Sequence, residues 1–105
     1  MENIKSKEEF DAIKDKLIIA DFHADWCGPC RVVGPVIEEL STENVETKFV
    51  KINIDENQEL ASRFTISAIP TVLVLKKQDG RLIEVERLVG SKPKSTYEEA
   101  LNKAL

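Results

Sequence analysis

Residues 17–42 read LIIADFHADWCGPCRVVGPVIEELST, and this stretch decides the fold. Its first part, 17–24, is a compact apolar run of strand length. Such a run suits a strand covered on both faces. Over 28–42 the period turns helical, with Val32, Val33, Val36, Ile37 and Leu40 forming one stripe. Pro35 lies inside that stripe, where it removes a backbone hydrogen bond and is expected to kink the helix. Trp26-Cys27-Gly28-Pro29-Cys30 occupies the corner between strand and helix.

The same alternation of periods continues outward. Before the stretch, Ser6-Lys7-Glu8-Glu9 has the spacing of a capping box and opens a short helix carrying Phe10, Ile13 and Leu17. After it, TKFVKINI at 47–54 reads as a strand, 57–64 as a short helix, and TVLVLK at 71–76 as a further strand. Asp79-Gly80 is a hairpin signal, because glycine accepts positive φ. Residues 81–89 return as the next strand, with Ile83, Val85 and Val89 expected on one face. Pro93 precedes an amphipathic last helix with Tyr97, Ala100, Leu101, Ala104 and Leu105. The order is α, β, α, β, α, β, β, α, and Ile4 adds a short edge strand at the front. Strands separated by helices are expected to pair in parallel and the last two to form an antiparallel hairpin. The fold class is α/β: a mixed four- to five-stranded sheet with helices on both faces.

A chain of 105 residues fits one domain, 1–105, and buries a core without a disulfide scaffold or structural metal. The net charge of -4 offers no basic footprint, which argues against nucleic acid and anionic membrane as partners. The opening MENIKSKEEF is charged and lacks the apolar run of a signal peptide. No stretch approaches the roughly 20 apolar residues that cross a bilayer. The expected compartment is the cytoplasm, and with no heptad or spare apolar face the expected state is a monomer.

The two cysteines are the only ones in the chain and stand three positions apart. In a reducing compartment such a pair points to chemistry rather than architecture. A helix N-terminus has free amides and partial positive charge, which favour a thiolate, so Cys27 is expected to titrate low. Cys30 lies one turn on, on the same side, within reach of Cys27. Gly28-Pro29 stiffens the turn. The implied reaction has two steps. The Cys27 thiolate attacks a disulfide in a partner, and Cys30 then displaces the partner's sulfur from Cys27. A structural disulfide is the plain alternative. A zinc site built on His23, Cys27 and Cys30 is another, but it lacks a fourth Cys or His. Asp21 sits inside the apolar run, where burial raises a carboxyl's pKa and makes it a candidate for acid–base work.

WCGPC, together with ADFHADWCGPCRVVGPVIEEL, FVKINIDEN, FTISAIPTVLVLKKQDG and Val89-Gly90 in that order and spacing, resembles the thioredoxin family along the whole chain. The resemblance implies a protein dithiol–disulfide oxidoreductase, an electron carrier with no bound cofactor beyond its own redox-active Cys27–Cys30 disulfide. It implies disulfide-containing proteins as substrates and a thioredoxin reductase as electron donor. Within that pattern Cys27 matches the nucleophile and Cys30 the resolving cysteine. Asp21 matches a buried carboxylate that assists proton transfer at the second cysteine, and Lys51 a lysine that approaches it. Pro70 matches a proline that is cis and packs beside the disulfide. Trp26, Gly28, Pro29, Ile69 and Gly90 border the expected docking surface, where an extended substrate segment binds by strand addition.

His23 departs from the pattern, since the family usually has an aromatic there. It shares a strand face with Asp21, roughly 7 Å along the strand. A protonated imidazole there is expected to favour the Cys27 thiolate or the Asp21 carboxylate and to give a pH dependence near 6 to 7. Two other functions compete: a disulfide oxidase or isomerase in an exporting compartment, and a binding module that uses the same surface without electron transfer.

Overall fold

The computed structural model describes residues 1–105. The elements run β1 (Glu2–Ile4), α1 (Lys7–Asp11), β2 (Leu17–His23), α2 (Gly28–Glu43), β3 (Lys48–Asn53), α3 (Gln58–Arg63), β4 (Thr71–Gln78), β5 (Arg81–Val89) and α4 (Lys94–Ala104). They build one five-stranded sheet in the order β1-β3-β2-β4-β5. β2 is the central strand, which explains why nearly all of it is apolar. Its Leu17 and Ile19 enter a core shared with α2 and α4, built on Val33, Ile37, Leu40, Tyr97 and Leu101. Its Ile18, Ala20 and Phe22 enter a second core with Phe10 of α1 and Leu60 of α3. The alternation carries Asp21 and His23 to the α2 side.

The strand β1 pairs in parallel with β3, and β3 in parallel with β2. β4 does not follow the parallel expectation: it runs antiparallel to β2. The reason is the length of α3. Six helical residues rise about 9 Å, too little to carry the chain back along a six-residue strand of about 20 Å. The chain therefore enters β4 at the end of the sheet where β3 leaves it. That end also holds the C-terminus of β2 and the start of α2, so the loops gather around the cysteines.

Local signals behave as their chemistry requires. Ser6 caps α1, its hydroxyl accepting the Glu9 amide at 3.1 Å. Asp79 and Gly80 both take positive φ, 53° and 76°, and close the β4–β5 hairpin as a two-residue turn. Asn57 donates its amide to the carbonyls of Ile4 and Asn53, tying the ends of β1 and β3 together.

Three expectations about faces need correction. Val32 is not part of the buried stripe of α2. It is 62% exposed, because Val33, Ile37 and Leu40 already fill the contact with the sheet and Val32 lies a hundred degrees round the helix. Val89 does not share a face with Ile83 and Val85. The β4–β5 ladder slips between Val74 and Leu75, which pair with Glu86 and Glu84 respectively, so Val85 is an extra residue in β5. Beyond that bulge the alternation reverses: Leu88 packs on the α2–α4 core and Val89 turns outward. Leu105 lies past the end of α4 and is exposed.

Candidate active site

The site is the corner between β2 and α2. β2 ends at His23, and the Cys27 amide folds back to donate to the Ala24 carbonyl at 3.2 Å. Cys27 is the N-cap of α2, in extended conformation, and its Sγ accepts the Cys30 amide at 3.2 Å. A sulfur thus takes the place that a serine or aspartate oxygen usually holds at a helix start. Pro29 sits in the first turn, where its missing N–H leaves nothing unpaired. Cys27 and Cys30 are joined as a disulfide with their Cα atoms 5.3 Å apart.

The disulfide has a dry side and an open side. Both cysteines are buried against Ala24, with Ile54 and Ile69 packed around them. Gly28 and Pro29 are exposed, and a Cβ built on Gly28 meets no atom within 4 Å. The Ile69–Pro70 peptide is cis. The Pro70 carbonyl accepts the Gly90 amide at 2.8 Å, and Gly90 takes a φ of 86°. Ile69, Pro70 and Gly90 therefore stand together.

Trp26 is 69% exposed. Its indole N–H donates to Asp55 Oδ2 at 2.9 Å. Asp55 is the residue the sequence reading missed. The Asp55 amide donates to Asn53 Oδ1 at 2.9 Å, an Asx-type turn that aims the carboxylate. The available signal was Asn53 and Asp55 at the end of a strand parallel to and adjacent to β2, since the exits of two such strands meet.

Behind Cys30 lies a cavity of about 390 Å³ lined by Asp21, His23, Cys30, Gly34, Glu38 and Lys51, among others. Asp21 is buried, and its Oδ1 has no hydrogen-bond partner. Burial pushes its pKa up to about 6, while Lys51, its direct neighbour across the β2–β3 ladder, pulls the other way. The Lys51 ammonium also reaches α2: a Cβ on Gly34 stands 3.9 Å from its Nζ. Tyr97 of α4 is pushed up chiefly by burial, with the Asp21 charge adding to the rise.

His23 is half-buried and its Nε2 has no partner. Burial first, and Lys51 second, hold it below the ordinary value of 6.5, against the smaller pull of Asp25 and Glu56. The shift favours the neutral imidazole, so an imidazolium near pH 6 to 7 is less favoured here than on an ordinary histidine. His23 also stands away from any metal-binding set: no group of three His, Cys, Asp or Glu side chains is placed to hold an ion.

Residues 2–103 match the family model described as Thioredoxin. The chain belongs to the thioredoxin family. It is 49% identical over 90 residues to the thioredoxin of Bacillus subtilis, covering 85% of this chain and 83% of that protein. It is 43% identical over 104 residues to the thioredoxin of Chlamydia pneumoniae, covering 98% of each. In three dimensions it superimposes on a thioredoxin of Plasmodium falciparum with a TM-score of 0.88 at 32% identity, covering all of both chains. Thioredoxins are thiol–disulfide oxidoreductases that carry electrons. With its Cys-Gly-Pro-Cys disulfide at a strand-to-helix corner, this chain is a dithiol–disulfide oxidoreductase of that kind.

Proposed function

We propose that the chain, acting as one domain over 1–105, reduces disulfides in other proteins with Cys27 as nucleophile and Cys30 as resolving thiol. The observation that carries this reading is the Cys27 Sγ at the N-cap of α2, accepting the Cys30 amide at 3.2 Å. In the reduced protein that amide and the helix dipole favour a thiolate at Cys27 over one at Cys30. The thiolate attacks one sulfur of a substrate disulfide and expels the other, giving a mixed disulfide. Cys30 then loses its proton and attacks Cys27 Sγ. The Cys27–Cys30 bond forms, the substrate sulfur leaves as a thiolate, and two electrons have passed to the substrate.

Asp21 is the proton acceptor in the second step. Its carboxyl shares the cavity with Cys30 and, with a pKa of about 6, is ionised at pH 7 yet basic enough to take a thiol proton. Lys51 favours the ionised form between turnovers. The docking rim comprises Trp26, Gly28, Pro29, Ile69, Pro70 and Gly90. An extended substrate segment lies along the backbone before Pro70, beside the dry sulfurs. His23 modulates the proton step rather than the nucleophile.

Substrates are disulfide-containing proteins, the electron donor is a thioredoxin reductase, and the work is done by a monomer in the cytoplasm. No helix is long and apolar enough to cross a membrane. The thioredoxin relatives favour this reductase reading over an oxidase or isomerase. The test is insulin disulfide reduction with a dithiol donor, repeated with a thioredoxin reductase and NADPH. Turnover in both, lost on Cys27→Ser, is expected. A protein that binds insulin but never reduces it overturns the reading.

A further inference from the structure

Two cavities share three side chains. The inner one holds Asp21 and Cys30. The outer one, about 350 Å³, is lined by Lys5, Asn53 and Glu56 together with His23, Asp25 and Lys51, and these last three also line the inner cavity. The inner cavity also opens to solvent past Arg31 and Glu38, and a proton passing from Asp21 to the outer one meets one of the three shared side chains. Lys51 offers donors and no acceptor. Asp25 is exposed, beyond the buried part of the path. His23 alone is half-buried, shares the strand face of Asp21 two residues on, and has two ring nitrogens, one able to accept while the other donates. Both Asp21 Oδ1 and His23 Nε2 are buried without a partner.

We propose that His23 is a positioning residue that passes the proton Asp21 takes from Cys30 on to solvent. The inference rests on the role given to Asp21 above. The balance is simple. The Cys30 S–H bond breaks and its proton goes to the Asp21 carboxylate. Asp21 gives the proton, through water in the shared cavity, to one imidazole nitrogen, the other nitrogen releases its own proton to solvent, and Asp21 is again ionised. The electrons move only between sulfurs.

The charged groups around the path set its direction. Lys51 faces His23 from β3, Asp25 from the turn after β2, and Glu56 from the loop after β3. Arg31 and Glu38 of α2 border the inner cavity, Lys5 the outer one, and Tyr97 of α4 feels the Asp21 charge. Burial raises the proton affinity of Asp21 and lowers that of His23, so the two shifts bring the carboxyl and the imidazole towards each other.

The experiment is single-turnover release of glutathione from a Cys27–glutathione mixed disulfide, at pH 7, in His23→Phe, His23→Gln and Asp21→Asn. Both His23 variants are expected to release glutathione about tenfold more slowly, less than the roughly 10²–10⁴ of a direct acid–base group. Added imidazole is expected to restore His23→Phe, while adduct formation at Cys27 stays at the unmodified protein's rate. A structural role for His23 does not produce imidazole rescue. Unchanged release in both His23 variants with slow release in Asp21→Asn overturns the relay alone, as does slowing that imidazole leaves untouched. Unchanged release in Asp21→Asn overturns the role of Asp21 and the relay with it.

Discussion

Lys51 stands directly opposite Asp21 across the β2–β3 ladder, and its charge opposes the rise that burial imposes on the carboxyl. The pair is unequal in setting: Asp21 is sealed beneath α2, while Lys51 is only partly buried and reaches the cavity between strand and helix. The carboxyl's proton affinity is therefore set mainly by what surrounds it and trimmed by one neighbour.

Removing that neighbour moves the carboxyl further in the same direction. In Lys51→Met the Asp21 pKa is expected to rise above its value of about 6, since the one cation favouring the ionised form is gone. Carboxyl carbon-13 NMR across the pH range reads it directly. A pKa that stays put or falls contradicts the assignment of Lys51 as the opposing charge.

Burial of Asp21 also has a stability consequence with a definite sign. Its folded pKa of about 6 lies above the unfolded value near 3.8, so the folded state holds the proton more tightly. The ionised carboxyl is a penalty fully present above about 6, and the penalty fades as pH falls from 6 towards 4. At about 1.4 kcal/mol per unit, it amounts to about 3 kcal/mol at pH 8. Asp21→Asn is expected to be more stable than the unmodified protein at pH 8 by up to that amount, and the difference is expected to vanish near pH 4. Urea denaturation at both pH values checks it. Equal stability at pH 8 removes the premise of a strained carboxylate.

The Trp26 indole is held by one bond, to Asp55 Oδ2 at 2.9 Å, although most of its surface is open. Asp55→Ala removes the acceptor and frees the ring at a stability cost of about 1 kcal/mol or less. Trp26 is the only tryptophan, so its fluorescence anisotropy decay reports the ring without labelling. Faster local motion in Asp55→Ala is expected, with slower insulin reduction. An unchanged decay means that the indole is fixed by packing instead.

Two glycines near the disulfide differ in what they require. Gly90 has a φ of 86°, a conformation that side chains with a Cβ resist, and the Pro70 carbonyl holds it there. Gly90→Ala is expected to cost about 1–2 kcal/mol through backbone strain alone, as its Cβ meets no neighbour within 4 Å. Gly28 opens α2 with free space around it, so Gly28→Ala is expected to change stability by less than about 0.5 kcal/mol or to raise it slightly. Denaturation midpoints of the two variants check the contrast, and equal costs contradict it.

Much of this was readable from residues 17–42. An apolar run followed by a helical period placed Cys27 at a helix start, and period-two alternation put Asp21 and His23 on one face. The cis state of Pro70 followed from family resemblance, because local chemistry allows either isomer. What stayed hidden depends on contacts between distant segments. The antiparallel entry of β4 follows from the shortness of α3. The reversal at Val89 follows from an extra residue at Val85 that no turn residue marks. Asp55 becomes part of the site only because β3 lies beside β2, and the downward shift of His23 depends on burial and on Lys51 from the neighbouring strand.

The central claim is that Cys27 attacks and Cys30 resolves. Mixing reduced Cys30→Ser with insulin and mapping any covalent product by mass spectrometry tests it most directly. A one-to-one mixed disulfide through Cys27 that persists until a dithiol is added, with no product from Cys27→Ser, is the result expected. Adducts carried by Cys30 in Cys27→Ser, or no adduct in Cys30→Ser, contradict the assignment.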